Sequence, residues 1–572
     1  MALYDKASLV LIPSGTKEGV CFSQKPTNGD GDFTFTRASS ATRVNSDGLI
    51  EKETQNLLLQ SNQFDTTWVR FNTSVTSGQS GYDGSSDAWL LSKSAANAYI
   101  NQNFSSGNLN TFSIYAKAGS LNWIAIQISG SPSPYAYFNL SGSGAVGTEV
   151  DIIDSVIESV GGGWFRISIA GNNTGFNGVN IYPADADNVL SGTSGNVYIQ
   201  DAQLESGLVA RDYLETTTTA VYGGITDNIP RLDYTDASCP SLLLEPQRTN
   251  ILYHSEYFGA WSAFGGAVLT HNDAISPEGI SNAVKISTNG VFKQDPTAAN
   301  TDYVFSVFAK TNTATSVTIN YVDQTSPFRG GTIIYTFATD AVAVTGQSEN
   351  NSVTAEREDY GNGWIRVIMN FKTNVAKNYN YQEIRFIGGD GWIYGAQYEA
   401  GSYATSYIPT YGASVTRVGE TCNSAGNAST FNDSEGVLYF EGSALADDGT
   451  NRWVAALSDG TNNERVQIIY LSDNSIAASV ISSNSSQCSF NYSDSPATDF
   501  NKIAILYKQN DFKMYVNGTQ VGSDTSGNAP NGLDTLGFER PTGVSQFYGN
   551  AKQILYFPTA LTDEELADLT TI

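Results

Sequence analysis

Apolar and polar side chains alternate with a period of two through many short windows of this chain. Phe33-Thr34-Phe35-Thr36-Arg37 is one such window, and this alternation marks a strand with one buried face. Trp123-Ile124-Ala125-Ile126-Gln127-Ile128 and Trp164-Phe165-Arg166-Ile167-Ser168-Ile169 also read as short strands. Lys513-Met514-Tyr515-Val516-Asn517-Gly518-Thr519-Gln520-Val521 sets Asn-Gly between two alternating arms. That is a strong hairpin signal, because Asn and Gly tolerate the positive φ of a tight turn. Ile503-Ala504-Ile505-Leu506-Tyr507 is the expected neighbouring strand. Leu9-Val10-Leu11-Ile12 reads as a strand stopped by Pro13, and residues 28–32 and 45–48 read as turns. Helical signals are scarce. Thr562-Asp563-Glu564-Glu565 fits a capping box, with Leu566 and Leu569 on one face of the helix that follows. The pattern predicts an all-β chain of antiparallel β-sandwiches with few short helices.

The same pattern is written twice. Asn56-Leu57-Leu58-Leu59-Gln60-Ser61 with Phe64 and Trp68 returns as Asn250-Ile251-Leu252-Tyr253-His254-Ser255 with Phe258 and Trp261. Phe112–Lys117 returns as 305–310, Gly163–Arg166 as 363–366, and Gln203-Leu204-Glu205-Ser206-Gly207 as Gln397-Tyr398-Glu399-Ala400-Gly401. The four pairs lie 194, 193, 200 and 194 residues apart, so a whole domain has been duplicated. The expected organisation is an attachment module at 1–51, copy one at 52–215, a connector at 216–249, copy two at 250–410 and a distinct domain at 411–572.

Composition narrows the function. With 57 acidic against 30 basic residues the net charge is −27, which disfavours binding to DNA, RNA or anionic lipid. The four cysteines, Cys21, Cys239, Cys422 and Cys488, form no Cys-x-x-Cys pair, which argues against a zinc site or a disulfide framework. No apolar run approaches the ~18 residues of a membrane span. Met1-Ala2-Leu3-Tyr4-Asp5-Lys6 does not read as a signal peptide. These features fit synthesis in a reducing cytoplasm and no membrane insertion.

Chemistry is thin. A nucleophilic triad would need one of only two histidines, His254 and His271, and His254 replaces Gln60 of the first copy. No catalytic residue is assigned. Glu205 and Glu399 occupy one position in both copies, which points to a scaffold role, with Arg166 and Arg366 as the natural partners. Gly161-Gly162-Gly163 reads as a hairpin turn, since no helix pattern follows to cradle phosphate. Asp30 and Asp32 in a glycine turn, and Asp447, Asp448 and Asp459, are the candidate oxygen ligands for Ca2+; otherwise no cofactor is implied. Recurring Trp68/Trp261 and Trp164/Trp364 read as core. The non-recurring Trp89, Trp123 and Trp453 are the candidates for stacking on sugar rings.

Two runs carry a family resemblance: Asn28–Glu51 (NGDGDFTFTRASSATRVNSDGLIE) and Pro230–Asn250 (PRLDYTDASCPSLLLEPQRTN). Both resemble signature segments of a group of bacteriophage virion proteins, with copy one inserted between them. The two copies resemble carbohydrate-binding-module-like jelly rolls. Residues 411–572 resemble a concanavalin A-like, laminin-G type lectin sandwich, on Tyr515–Gly518 and on Leu555-Tyr556-Phe557 with Ala560–Leu566. The resemblance implies a tail fibre, head fibre or other appendage on the virion surface, made in the host bacterial cytoplasm. It implies a homo-oligomer, with a trimer favoured, that contacts other virion proteins through residues 1–51 and binds host-surface glycan. The alternatives are a polysaccharide depolymerase or glycosidase tailspike, and a capsid decoration with no receptor.

Overall fold

Each predicted strand needs a partner, and the partners are mostly far away in sequence. The computed structural model describes residues 3–103, 107–235, 238–287, 289–323, 329–347, 352–373 and 377–572. Met1 and Ala2 of the amino-terminal reading, and Asp236 and Ala237 of the second signature run, lie outside them. The protein is all-β, built from antiparallel two-sheet sandwiches with short helices at Leu3–Lys6 and Asp563–Thr570. The second carries the predicted capping box: Glu565 N donates to Thr562 Oγ1 at 3.2 Å, and Thr562 N to Glu565 Oε2 at 3.0 Å.

The first copy packs two six-stranded sheets face to face. One runs Asp154–Gly161, Trp164–Asn172, Leu109–Ala118, Gly195–Ser206, Ala88–Lys93, Thr73–Gln79. The other runs Ala145–Val150, Tyr135–Asn139, Trp123–Ser131, Thr174–Ala184, Tyr99–Gln102, Val69–Phe71. The eight central strands have jelly-roll order. The second copy repeats the order strand for strand. Its sheets are Val353–Asp359, Ile365–Lys372, Asp302–Thr311, Gly391–Ala400, Ser281–Ile286, Leu269–Ile275, and Ala341–Gln347, Arg329–Thr336, Ser316–Asp323, Lys377–Ile387, Asn289–Thr297, Ser262–Phe264. Each has its own core, with Phe112, Ile114, Ile126 and Leu204 in the first and Phe305, Val307, Ile319 and Tyr398 in the second.

Both copies are closed at the base by one buried clasp. Asn56 Nδ2 donates to Ala202 O and Leu214 O at 3.1 and 2.8 Å, and Asn250 Nδ2 to Ala396 O and Ile408 O at the same distances. Gln203 Nε2 donates to Glu205 Oε1, and Gln397 Nε2 to Glu399 Oε1. The same carboxylate oxygens accept from Arg211 N and Thr405 N, each at 2.9 Å. The scaffold reading of the Gln-x-Glu-x-Gly run therefore holds. The partner reading needs correcting: the nearest guanidiniums are Arg211, 4.0 Å from Glu205, and Arg248, 3.8 Å from Glu399. Arg166 and Arg366 instead turn to Ser113 and Ser306 and to the carbonyls of Arg211 and Thr405. Beside each clasp the chain enters and leaves as a two-stranded stem, Thr54–Asn56 with Val221–Gly223 and Arg248–Asn250 with Val415–Arg417.

The terminal sandwich is assembled from three separated pieces. Its larger sheet runs Arg231–Asp233, Ser241–Leu244, Gly549–Phe557, Glu435–Ala444, Asn501–Lys508, Asp511–Val516, Thr519–Asp524. Leu9–Leu11 also pairs with Gly549–Phe557, end to end with Ser241–Leu244: Leu9 faces Tyr556 and Leu242 faces Ala551. Phe33–Thr36 pairs with Thr421–Asn423. The smaller sheet runs Ser485–Tyr492, Ile476–Ser482, Arg465–Tyr470, Arg452–Ser458, Thr535–Gly537. Residues 1–51 and 216–249, expected as an attachment module and a connector, thus supply strands to this domain. The reason is burial: Leu9, Val10 and Leu11 are at most 1% exposed, Leu9 and Leu11 in the main core of the terminal sandwich and Val10 in a second cluster with Val437, Leu555 and Leu566.

A buried ion cluster ties the pieces together. Arg231 contacts both Glu420 and Glu245, Arg37 lies 2.7 Å from Glu420, and Arg417 lies 2.7 Å from Glu245. Burial alone would raise the Glu245 carboxyl, but Arg417 and Arg231 outweigh it and hold it at about 2. The two signature runs meet here, through Arg37 from one and Arg231 and Glu245 from the other.

Candidate functional site

In the first jelly roll, strand alternation sends every second side chain of the sheet that runs from Ala145–Val150 to Val69–Phe71 outward, away from the core. There the cross-strand register builds two parallel rows. The first joins Phe71, Tyr99, Tyr182, Ala125 and Tyr137; the second joins Val69, Asn101, Asn180, Gln127 and Tyr135. Phe71 and Tyr99 stack with centroids 5.1 Å apart, and Tyr99 and Tyr182 lie 5.4 Å apart. Phe71 is 47% exposed, while Tyr99, Tyr135 and Tyr182 are half-buried.

The amide row is fixed by its own hydrogen bonds. Asn101 Nδ2 donates to Asn180 Oδ1 at 2.7 Å, and Asn180 Nδ2 donates to Gln127 Oε1 at 2.8 Å and Ser129 Oγ at 3.0 Å. The Tyr182 hydroxyl donates to the same Gln127 oxygen at 2.8 Å, and burial, then Tyr99, pushes its pKa up to about 12. Rings fixed beside amides, with no charged side chain in either row, suit an uncharged polyhydroxylated ligand. C–H faces pack on the rings while hydroxyls exchange with amides. The loop from 185 to 194 walls one end: Leu190 packs there, and Asp187 accepts from Thr148 N at 2.7 Å.

Of the predicted stacking residues, Trp123 lies on this outer face, half-buried at the loop end. Trp89 is 7% exposed and sits in the core, 6.2 Å from Phe64, with Nε1 donating to Asn62 O; it is not a surface platform. Its failure to recur reflects a different core filling in the second copy. Trp453 lies on the terminal sandwich with the Arg540 guanidinium 5.2 Å over its ring. The recurring Trp68, Trp164, Trp261 and Trp364 are all buried. Sequence reasoning missed Phe71, Tyr99, Tyr135 and Tyr182; Tyr137, in the same row, is 5% exposed and clusters with buried Ala125 and Ala184. The available signal was an aromatic or amide at the outward positions of alternating strands.

The candidate Ca2+ ligands do not converge. Asp32 accepts from Ser23 N and Oγ, Asp30 from Asn28 Nδ2, Asp448 pairs with Arg452, and Asp459 caps the turn at Thr461. Among the described residues no cluster of three or more His, Cys, Asp or Glu side chains could hold a metal ion. Burial lowers both histidines to about 4, with Lys293 adding to the effect at His254, and among the described residues neither ring hydrogen-bonds to a serine, cysteine or carboxylate.

A cavity of about 670 Å³ lies between the second jelly roll and the terminal sandwich, where Glu358, Tyr360 and Arg366 face Asp233, Asp499 and Phe500. A cavity of about 380 Å³ occupies the matching place on the first jelly roll, where Glu158 and Arg166 face Asn272 and Ser281. In each copy Glu and Arg are direct cross-strand neighbours. Recurrence at both seams marks module docking.

The described residues contain no helix long and apolar enough to cross a membrane. No curated protein matches the chain. The Ruminococcus gnavus IT-sialidase CBM40 bound to α2,3-sialyllactose is 14% identical over 26% of this chain and 94% of its own, with a TM-score of 0.23. Mouse laminin α1 chain domains LG4-5 are 10% identical over 53% and 92%, with a TM-score of 0.19. A Trypanosoma rangeli sialidase is 9% identical over 94% and 98%, with a TM-score of 0.22. Residues 429–567 match the Concanavalin A-like lectin/glucanases superfamily, and the terminal sandwich is accordingly lectin-like in fold.

Proposed function

We propose that this chain is a surface appendage of a bacteriophage virion, a tail or head fibre, that attaches the particle to glycan on a bacterial surface without cleaving it. The ring-and-amide face of the first jelly roll carries the binding part of this reading. Its side chains can stack on and hydrogen-bond to a sugar, and neither row holds the pair of carboxyl groups that most glycoside cleavage uses. The lectin superfamily match of residues 429–567 supports the same class of ligand. The virion assignment rests on the resemblance of the two signature runs. A homotrimer would present three such faces, so that weak single contacts sum to useful avidity.

The test uses the full chain on immobilised bacterial surface polysaccharides. Binding is expected, and the Tyr99→Ala, Tyr182→Ala double variant should lose at least about tenfold in affinity, as for a central aromatic anchor. Arg385→Ala on the matching face of the second copy should not. Reducing-end release during incubation would replace attachment with depolymerisation. Unchanged binding by the double variant would refute the face.

A further inference from the structure

The terminal sandwich carries a second cluster of quite different chemistry. The outer face of its smaller sheet carries Arg465 and Gln467, 9% and 4% exposed, which lie across from Ser458 and Ala456. Arg465 Nε donates to Gln467 Oε1 at 2.7 Å and its Nη1 to Asn462 O. Gln467 is held in turn by Trp453 Nε1, which donates to its Oε1, and by its own donation to Ser479 Oγ, both at 2.8 Å. The loop from 540 to 546 lies over this face, with Trp453 N donating to Ser545 O at 3.1 Å. Arg540 lies on the Trp453 ring and donates from Nε to Asn462 Oδ1 at 3.0 Å. Both guanidiniums therefore bond to the same residue, Asn462, and sit side by side.

Neither arginine forms an ion pair among the described residues, although acids outnumber bases 57 to 30 in the sequence. The acids next to them in sequence are engaged elsewhere: Glu464 accepts from Ser483 N and Asn531 N, and Glu539 from Gln546 Nε2. Among the described residues, both terminal nitrogens of Arg540 and Nη2 of Arg465 make no hydrogen bond. Two adjacent positive charges repel, and burial with Arg540 as neighbour lowers the Arg465 pKa. Planar donors held by a ring and an amide, with no anion paired to them among the described residues, are the arrangement that takes a carboxylate in fork geometry. The overall negative charge does not forbid this, because salt screens it beyond about 8 Å under physiological conditions.

We propose that Arg465 and Arg540 form a binding site for a carboxylate-bearing saccharide, separate from the ring-and-amide face of the first jelly roll. The site does not depend on that face, so the two can fail independently. The test measures binding of the full chain to alginate, polygalacturonate and polysialic acid, with dextran sulfate and neutral dextran as comparators. At least one carboxylated polymer should bind, weaken with added salt, and lose about tenfold or more in Arg540→Gln, the cost of a charge-assisted hydrogen bond. Arg465→Gln should act in the same direction, and Arg385→Ala on the second jelly roll should bind these polymers normally. Arg540 is half-buried on a loop, so its variant is expected to melt like the parent. Binding to none of the three polymers, equal binding to dextran sulfate, or unchanged binding by Arg540→Gln would each overturn the proposal.

Discussion

The two jelly rolls share a strand order, a clasp and a stem, yet differ where they face solvent. Where the first copy has Phe71, Tyr99, Tyr182, Ala125 and Tyr137 across its outer face, the second has Phe264, Gly290, Arg385, Thr318 and Ile334. Where the first has Val69, Asn101, Asn180, Gln127 and Tyr135, the second has Ser262, Phe292, Glu383, Asn320 and Thr332. Buried polar groups are costly to leave unpaired, so Asn56 and Asn250 keep the same bonds in both copies. Outward residues carry no such cost and can differ. One copy thus has uncharged rings and amides at the centre of its face, while the other has a guanidinium and a carboxylate.

The comparison can be stressed at three points. The strongest acts outside both copies, on the buried ion cluster that anchors the terminal sandwich. Glu420→Gln leaves Arg37 and Arg231 short of a buried counter-charge and should cost about 3–5 kcal/mol in denaturant unfolding. If the copies are independent of that anchor, each should retain its own cooperative melting while the terminal sandwich is lost. Next come the clasps themselves. Asn56→Ala and Asn250→Ala each strip partners from buried backbone groups and should each cost about 3 kcal/mol. Unequal losses would show that the copies differ inside as well as outside.

The smallest effect is that of pH. Burial, then Asp227, raises Glu53 at the foot of the first copy to about 7, and burial raises Asp201 in the first copy and Asp295 in the second to about 6. These groups bind protons more tightly folded than unfolded, so their stabilisation is complete below their ordinary values and is lost as pH rises through 6 to 7. Glu245 behaves oppositely: its share is present above 4.5 and is lost as pH falls towards 2. Thermal melting should therefore peak in mildly acidic solution and fall on both sides. A steady rise in stability up to pH 8 would contradict the burial of these three carboxyls.

Local signals were legible in the sequence. The period-two windows, the Asn517-Gly518 turn, the Thr562 cap and the duplication all depend on neighbours within a few residues or on direct repetition. Glu205 and Glu399 were readable as scaffold because they recur, but their guanidinium neighbours were not, since Arg211 and Arg248 hold no equivalent positions. The three-piece sandwich was illegible because Leu9–Leu11 announces a strand without naming a partner more than five hundred residues away. The aromatic row was missed for a related reason: Phe71, Tyr99, Tyr137 and Tyr182 come from four strands and meet only through register. Trp89 misled because non-recurrence was equated with exposure.

The pairing of Leu9–Leu11 with Gly549–Phe557 also sets an order of events on the ribosome. The earlier strand emerges long before its partner exists, and an unpaired apolar edge is a sticking hazard. Each jelly roll can fold as soon as its own stem is complete. By doing so it brings its two ends together and removes a long stretch of chain from the loop still to be closed. Closure of the two modules thus shortens the loop that separates the early strand from its late partner.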